Sequence, residues 1–293
     1  MPEHVHQMYR PPAEAQNVLI RVADGCPHNA CAFCAMYRGV QYRVHALQEI
    51  SATIAHAAEA WPHGRRIFLA DGDVLALPFE DLRTIFGMLH SAFPAVSRIS
   101  CYASGQAIMN KNEAELQMLK AMKLHTLYMG LESGSDAVLA AMHKAERAEN
   151  MSAAVIKAQR IGLTASVMVL IGLGGQEGSG VHIDATTKIL NTMQPRQLSC
   201  LRLIPVPGTP LQRWVRNGSF HQVTEAGAVR ELRKLIADLD LEHTVFRADH
   251  SSNILPVSGR LPKDKTRLLE ELDELLQCGV LDERGPGPMP SVL

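Results

Sequence analysis

The chain has no excess of charge of either sign. Its 293 residues include 29 Lys and Arg against 30 Asp and Glu, which leaves a formal net charge of −1 at pH 7. A protein that binds nucleic acid through the phosphates carries a surplus of basic residues, so this balance argues against such a partner. Apolar residues make up 46% of the chain and charged residues 20%. This composition is that of a folded globular protein and excludes disorder.

Long hydrophobic runs are also missing. The longest apolar stretch, residues 165–173, already contains Ser166 and Gly172. It is much shorter than the ~20 residues that a membrane-spanning helix needs. The N-terminal sequence MPEHVHQMYRPP lacks the cationic start and apolar core of a signal peptide. We therefore expect a protein without membrane association that works in the cytoplasm.

The six cysteines are not spaced like disulfide partners, because three lie close together and three are isolated. They are Cys26, Cys31 and Cys34 in one loop, and Cys101, Cys200 and Cys278 elsewhere. Such clustering is typical of metal ligands in a reducing compartment. Structural zinc usually takes four ligands in two pairs, and no second C-x-x-C occurs here. Three thiolates without a fourth favour a 4Fe–4S cluster with one open iron, while zinc, with His28 as a candidate fourth ligand, and inert thiols are the alternatives.

Short apolar runs alternate along the chain with longer segments of helical period. Six of these runs are continuously apolar, as parallel strands buried on both faces are. We predict strands at residues 17–22, 66–70, 97–102, 125–130, 164–171 and 197–204. Their spacing is close to the ~30 residues of a βαβ module, which predicts an α/β fold with a parallel sheet. Periodicity alone leaves a doubly wound sheet and a barrel both open.

The cysteine loop resembles the cluster motif of the radical S-adenosylmethionine (radical SAM) superfamily. The family pattern is C-x3-C-x2-C with an aromatic residue before the last cysteine, and Phe33 occupies that place here. The first gap has four residues instead of three. The resemblance implies that Cys26, Cys31 and Cys34 ligate a 4Fe–4S cluster, that SAM binds the open iron, and that Phe33 lies beside the cofactor.

The segment after the second predicted strand carries two acids around a glycine. Asp71, Gly72 and Asp73 resemble the family's G-G-E sequence, which approaches the methionine ammonium of SAM. A glycine lets the backbone come close, and carboxylate or carbonyl oxygens accept hydrogen bonds from a cation. The resemblance implies that at least one of these residues contacts SAM. Capping of the following helix by an aspartate is the alternative.

Two more segments of this kind end predicted strands. Residues 130–135, GLESGS, resemble a stretch of the methylthiotransferase, Elongator and coproporphyrinogen-oxidase-like branches, in which a polar residue, here Glu132 or Ser133, faces SAM. Residues 171–176, IGLGGQ, resemble the segment beside the adenine and include Gly172. Strand C-termini are where barrel active sites lie. The resemblance therefore predicts a partial (β/α)6 barrel. For Glu132, a structural ion pair is the alternative to a contact with SAM.

Three further SAM contacts are predicted from position along the strands. Ser104 follows the third strand, where a polar residue alternatively just satisfies backbone groups. Met168 and Leu170 lie on the fifth strand, before the segment assigned to adenine.

Four residues are predicted on the substrate side. Arg202 lies inside an apolar strand, so its charge needs a partner, either a carboxylate of SAM or substrate or an internal acid. Tyr37 is a candidate proton or radical partner, with a packed aromatic as the alternative. His250 and Asn253 belong to a polar loop that we expect to return over the strand C-termini, with an ordinary surface loop as the alternative.

The resemblance covers most of residues 17–211, which we expect to form the core barrel. We expect residues 1–16 to form an N-terminal extension and residues 212–293 a helical extension that closes the barrel. Within that extension the pattern predicts helices near 223–241 and 262–277, a short strand near 244–247, and a loop over residues 250–259.

Several sequence blocks resemble a narrower group within the superfamily. The blocks GCPHNACAFCAMYRG and PVPGTPL are similar to those of uncharacterised iron–sulfur oxidoreductases related to coproporphyrinogen oxidase. That resemblance supplies no substrate.

The activity implied by the resemblance is reductive cleavage of SAM to methionine and a 5′-deoxyadenosyl radical that takes hydrogen from a small organic substrate. The cofactors would be the 4Fe–4S cluster and SAM. The partners would be a small-molecule substrate and a low-potential electron donor such as flavodoxin or ferredoxin. The alternatives are radical SAM modification of RNA or a protein by alkyl or sulfur transfer, a heme-binding protein like coproporphyrinogen oxidase, and a non-enzymatic zinc module.

Overall fold

The structure, a computed structural model, describes residues 7–290. Within these residues the chain divides into two compact units. The first unit holds residues 7–29, 36–129 and 157–164, and the second holds residues 30–35, 130–156 and 165–290.

Strands and helices alternate along the chain as the sequence pattern predicts. The strands are β1 (Val18–Arg21), β2 (Ala23–Asp24), β3 (Arg43–Val44), β4 (Arg66–Ala70), β5 (Arg98–Tyr102), β6 (Leu124–Glu132), β7 (Thr164–Ile171), β8 (Gln197–Arg202), β9 (Thr244–Ala248) and β10 (Val257–Leu261). The α-helices are α1 (Leu47–Ala60), α2 (Phe79–Ala92), α3 (Gly105–Asn110), α4 (Glu113–Ala121), α5 (Asp136–Ala141), α6 (Ala148–Arg160), α7 (Gly175–Met193), α8 (Pro210–Arg216), α9 (Glu225–Asp238) and α10 (Lys265–Gln277). In the described part of the chain, none of these helices has the length and apolar character needed to cross a membrane.

The main sheet takes its strands in the order in which they follow along the chain. That order is β1-β4-β5-β6-β7-β8-β9-β10, and β2 pairs with β3 in a separate two-stranded sheet. The six predicted strands are present as β1, β4, β5, β6, β7 and β8, and the pairs β1/β4, β4/β5, β5/β6 and β7/β8 are parallel. A doubly wound sheet reverses its strand order near the middle, and this sheet does not, which decides for the barrel-type topology.

The C-terminal part differs from the prediction in one segment. Strand β9 and helices α9 and α10 lie where a strand and two helices were expected. The predicted loop over residues 250–259 is wrong at its end, because Val257 begins β10. Strand β10 pairs antiparallel with β9 and buries Val257 and Leu261. Pairing with a neighbour stabilises this strand, whereas Ser258 and Gly259 inside it give no strand signal of their own.

In the first unit, one face of the sheet is lined by aromatic rings. The register aligns Leu19 with Phe68 and Tyr102 with Tyr128. The rings of Phe68, Tyr102 and Tyr128 meet edge to face. The centroid of Phe68 lies 5.2 Å from that of Tyr102 and 5.9 Å from that of Tyr128, and the two tyrosine centroids are 6.3 Å apart. We call the surface formed by Leu19, Phe68, Tyr102 and Tyr128 the aromatic face. Side chains alternate along a strand, so Ile20, which is fully buried, points to the opposite side.

In the second unit, β7 and β8 have one covered face and one partly exposed face. Val167 and Val169 are fully buried, whereas Met168 and Leu170, which alternate with them, are half-buried. The register sets Met168 beside Ser199 and Leu170 beside Leu201, which are also half-buried. The face that carries Met168 and Leu170 is therefore the one that protein side chains leave incompletely covered.

Candidate active site

The cysteine loop contributes to both units. Cys26 belongs to the first unit, and Cys31 and Cys34 belong to the second. All three side chains are half-buried, and each thiol is free of a disulfide. The amide of Cys34 donates to the carbonyl of Cys31 over 3.3 Å, which makes a tight turn of the C-x-x-C part.

Main-chain hydrogen bonds fix the middle of the motif within the second unit. The amide of Ala32 donates to Met142 O at 2.8 Å, and the carbonyl of Ala32 accepts from the Leu211 amide at 3.0 Å. Phe33 packs, half-buried, against a core cluster of five buried residues: Ala32, Met142, Leu173, Leu203 and Leu211. These bonds therefore fix the C-x-x-C turn to the C-terminal end of α5 and to the start of α8. The predicted contact of Phe33 with the cofactor stays a prediction.

In the first unit, the Asp71–Asp73 segment packs directly on the start of the cysteine loop. Gly72 has a φ of 52°, and a Cβ at this position would overlap the carbonyl oxygen of Gly25 and lie 3.3 Å from the Cα of Cys26. Only glycine allows this approach, as the resemblance to G-G-E implies.

The donor set suits an iron–sulfur cluster. Three cysteines in one loop, none of them in a disulfide, supply the thiolates that usually ligate 4Fe–4S clusters. Within residues 7–290, no three His, Cys, Asp or Glu side chains are arranged to hold a single metal ion. A cluster differs from a single ion because its cysteines bind separate irons, so the three sulfurs need not converge on one point.

Asp71 is held by two side chains of its own unit. It is fully buried, and its Oδ2 lies 3.2 Å from Nε of Arg21. The hydroxyl of Tyr37 donates to Asp71 Oδ1 at 3.2 Å and accepts from the Gly72 amide at 3.3 Å. Burial and the neighbouring Asp71 raise the pKa of Tyr37 well above its ordinary value, so this hydroxyl stays protonated. Tyr37 thus fixes the carboxylate of Asp71 and the backbone of Gly72.

Asp73 lies close to several ionisable groups of the first unit. After burial, its charge is the main cause of the raised pKa of Tyr42, to which Cys26 also contributes. With Glu115, it also acts to raise the pKa of the buried Lys111, whose pKa burial lowers. The side chain of Asp73 makes no capping hydrogen bond to the following 3₁₀ turn, Val74–Ala76, so the alternative capping role is not realised.

Ser104 satisfies a backbone amide, which is the alternative to a contact with SAM. Its hydroxyl accepts a 3.0 Å hydrogen bond from the amide of Ala107 and caps the start of α3. Its predicted contact with SAM stays a prediction.

Glu132 forms the ion pair that was the alternative to SAM binding. Its carboxylate is buried and lies 3.6 Å from Nζ of Lys144, the base that the sequence did not identify. Burial raises the pKa of Glu132, against the opposing effect of Lys144. The residue has a φ of 64°, a conformation that few side chains adopt and that turns the chain sharply after β6.

A buried histidine, which sequence reasoning missed, joins two of the predicted SAM segments. His182 Nε2 lies 3.0 Å from the carbonyl of Leu170, and its Nδ1 lies 2.8 Å from the hydroxyl of Ser133. Burial lowers the pKa of His182 to about 4, so the ring is neutral. A carbonyl only accepts, so Nε2 carries the proton and Nδ1 accepts from Ser133. His182 therefore fixes the loop after β6 relative to the end of β7.

A buried carboxylate, also missed, holds the segment assigned to adenine. Glu231 on α9 accepts a 2.6 Å hydrogen bond from the amide of Gly172 and a 2.5 Å bond from the hydroxyl of Ser179. Burial raises the pKa of Glu231 to about 7. Its position among the apolar residues Ala228 and Leu232 of α9 was a signal for a buried acid.

Arg202 meets main-chain carbonyls instead of an acid of the described residues 7–290. Its predicted pairing with a carboxylate of SAM or substrate stays a prediction. Its Nε donates to Ser252 O at 2.7 Å, Nη1 to Pro286 O at 2.7 Å and Nη2 to Pro288 O at 3.2 Å. Carbonyl oxygens of a returning chain can accept the hydrogen bonds of a half-buried guanidinium as a carboxylate does. Arg202 therefore anchors the C-terminal tail.

His250 and Asn253 are both half-buried and bonded to their own unit. His250 Nδ1 lies 2.9 Å from the hydroxyl of Ser252, and the amide of Asn253 donates to Cys200 O at 2.8 Å. Arg202 and Asn253 line a cavity of about 10 Å³, which has room for one water molecule. Their predicted role toward a substrate stays a prediction.

Residues 20–181 match the model of the Radical SAM superfamily, which is more than half of the chain. The chain belongs to the radical SAM superfamily. Its members are enzymes that use a 4Fe–4S cluster and SAM, so the predicted class and cofactors are confirmed, and the zinc module is set aside.

Solved structures share the fold. Coproporphyrinogen III oxidase (HemN) from Escherichia coli, a radical SAM enzyme, is 18% identical with a TM-score of 0.58 over 75% of this chain and 51% of that chain. Methanocaldococcus infernus Elp3 with residues 1–46 deleted is 12% identical with a TM-score of 0.55 over 91% and 64%. The methyltransferase TsrM from Kitasatospora setae, with cobalamin and a 4Fe–4S cluster bound, is 13% identical with a TM-score of 0.57 over 88% and 61%.

These likenesses confirm the partial (β/α)6 barrel fold. The chain spans about half the length of the coproporphyrinogen oxidase that it matches. No curated protein matches it in sequence.

Proposed function

We propose that this chain cleaves SAM reductively and uses the product to remove hydrogen from a small organic substrate. The observation that supports the proposal most is the packing of Gly72 on Gly25, beside Cys26. This packing sets the Asp71–Asp73 segment, which resembles a SAM-binding segment, against the start of the cysteine loop, within one unit of the chain.

The chemistry that the cluster and SAM supply is the one-electron cleavage of SAM to methionine and a 5′-deoxyadenosyl radical. In our proposal Cys26, Cys31 and Cys34 ligate the cluster. Ala32 and Phe33 lie between Cys31 and Cys34 in the sequence and keep the C-x-x-C turn in place. Ala32 is buried and Phe33 is half-buried. A rigid loop is needed because the ligands must hold one cluster geometry through each electron transfer.

The Asp71–Asp73 segment is the proposed site of the methionine ammonium. The carboxylate of Asp71 is engaged by Arg21 and Tyr37, so its role is to fix the segment. Asp73 and the backbone at Gly72 are then the groups that accept from the cation.

The second unit offers the proposed site for the rest of SAM. Met168 and Leu170 lie on the partly exposed face of β7, which suits contact with a ligand. His182 and Glu231 hold the loops that contain Ser133 and Gly172. Glu132, paired with Lys144, is a polar group at the end of β6 that we assign to the same site.

The reaction needs a low-potential electron donor, for which we propose flavodoxin or ferredoxin. We propose that this protein works in the cytoplasm, because reduction of such a cluster requires a reducing compartment.

The test is anaerobic incubation of the reconstituted protein with SAM and dithionite, followed by quantification of the SAM products by mass spectrometry. We expect 5′-deoxyadenosine to be released slowly without substrate from the wild type and from Cys278→Ala, and none from Cys31→Ala. S-adenosylhomocysteine or methylthioadenosine as the main product would assign methyl or aminocarboxypropyl transfer instead.

A further inference from the structure

The first unit contains a buried carboxylate without a cation. Glu14 ends the 3₁₀ turn Pro12–Glu14 and is 4% exposed. Its Oε1 accepts a 2.6 Å hydrogen bond from the hydroxyl of Tyr128, and its Oε2 accepts from the side-chain amide of Asn17. Among residues 7–290, no Lys, Arg or His forms an ion pair with it. Buried charges in proteins are normally paired, so this arrangement calls for a positive group.

An independent observation comes from the neighbouring strand. Ser100 on β5 is fully buried, and its hydroxyl has no hydrogen-bond partner in the described part of the chain. The register aligns Ser100 with Phe68, and Tyr102, two residues further on, with Tyr128. Ser100 therefore points to the same side of the sheet as the aromatic face. A buried hydroxyl without a partner is destabilising, and a ligand with donor groups would satisfy it.

The aromatic face adds a third property. The rings of Tyr102 and Tyr128 belong to this side of the sheet, and Tyr102 is only half-buried. The negative faces of aromatic rings attract cations, and ammonium groups most of all when water is excluded. A carboxylate, an unpaired hydroxyl and tyrosine rings are together the usual surroundings of an ammonium group.

The N-terminal segment connects this place with the proposed SAM segment of the same unit. The rings of Tyr9 and Tyr37 meet edge to face with centroids 5.7 Å apart. The hydroxyl of Tyr37 in turn bonds Asp71 and Gly72. The segment from Tyr9 to Glu14 thus runs from the proposed SAM segment to the aromatic face.

We propose that Glu14, Ser100 and Tyr128 form a subsite for the ammonium group of the substrate, which is therefore a small amine. The ammonium donates to the Glu14 carboxylate and to the Ser100 hydroxyl, and Tyr128 keeps the carboxylate in place through its own hydrogen bond. The role of the subsite in catalysis rests on the proposed function, whereas its ability to bind an amine does not.

The test uses ethylammonium chloride as the probe and ethanol as its uncharged counterpart, with anaerobically reconstituted protein that holds its cluster and SAM. Binding is followed by the shift of the thermal unfolding midpoint at constant ionic strength. We expect ethylammonium, and not ethanol, to raise the midpoint of the wild type in a saturable way. We expect Glu14→Gln to weaken this response at least about tenfold, and the exposed-site control Glu59→Gln to keep it.

A second variant keeps the proposal falsifiable if Glu14→Gln does not fold. Ser100→Ala removes a hydroxyl that has no partner, so it should unfold no more easily than the wild type without ligand. Its affinity for ethylammonium should nevertheless be at least about threefold lower than that of the wild type. Equal responses of the wild type, Ser100→Ala and Glu14→Gln, or no response of the wild type, would overturn the subsite.

Two further outcomes separate the subsite from the proposed function. A SAM dissociation constant that rises about tenfold in Glu14→Gln would assign the carboxylate to SAM and overturn the assignment to substrate. Ethylammonium binding through Glu14 in a wild type that releases no 5′-deoxyadenosine would keep the subsite and refute the proposed function.

Discussion

The hydroxyl of Tyr37 donates to Asp71 at 3.2 Å and accepts from the amide of Gly72 at 3.3 Å. Tyr37 follows the last cysteine of the loop by three positions, and Asp71 follows the second barrel strand. Tyr37 therefore connects the end of the cysteine loop to the Asp71–Asp73 segment, which we assign to the methionine end of SAM. Both partners belong to the first unit.

Tyr37→Phe tests this tie. The change removes two hydrogen bonds, one of them to a charged group, and we expect the SAM dissociation constant to rise about tenfold. Iron content should stay at the wild-type level, because Tyr37 ligates nothing. Tyr9→Phe is the matched control, since Tyr9 contacts the Tyr37 ring at its edge without sharing these hydrogen bonds. Unchanged SAM affinity by calorimetry would show that the Asp71–Asp73 segment does not depend on Tyr37.

Glu231 predicts a pH dependence of stability. Burial raises its pKa from an ordinary 4.5 to about 7, so between these pH values the folded state holds a proton that the unfolded state has lost. The unfolding free energy of the wild type should therefore fall as pH rises through this range. Glu231→Gln does not ionise, so between pH 5 and pH 8 its stability relative to the wild type should improve by on the order of 3 kcal/mol.

Chemical denaturation at the two pH values measures this difference. Glu242→Gln is a suitable control, because Glu242 is exposed on the surface. If Glu231→Gln and the wild type lose stability in parallel between pH 5 and pH 8, burial does not raise the pKa of this carboxylate.

Arg202 predicts the behaviour of the C-terminal tail. Its guanidinium donates to the carbonyls of Pro286 and Pro288, so Arg202→Ala should release this segment. Trypsin cuts after Arg284, and we expect cleavage there to be about tenfold faster in the variant because two charged hydrogen bonds are lost. Arg216→Ala, which removes an exposed arginine of α8, should cut at the wild-type rate. Mass spectrometry of the released peptide gives the rates, and equal rates in all three proteins would exclude Arg202 as the anchor.

The sequence was informative where a signal is local. Each of the six barrel strands lies in a short, mostly apolar run. The cysteine loop and the glycine of residues 71–73 are recognised from adjacent residues alone. The error at Val257 has the same origin, because β10 is stabilised by β9 and carries little signal in its own five residues.

The polar contacts that hold the site were beyond local patterns. Glu14 bonds Tyr128, Gly172 bonds Glu231, and Arg202 bonds Pro286, so each pair joins distant parts of the chain. A hydrogen bond between remote residues depends on tertiary packing, which no hydrophobic period encodes. Sequence reasoning could state that Arg202 and Glu132 needed partners, and only the fold could identify them.

The measurement that tests the central claim most directly is the iron and acid-labile sulfide content of anaerobically reconstituted protein. The account predicts about four irons per chain in the wild type and in the controls Cys101→Ala and Cys278→Ala. It predicts loss of the cluster in each of Cys26→Ala, Cys31→Ala and Cys34→Ala. One zinc per chain with no iron, or loss of iron in Cys278→Ala, would contradict it.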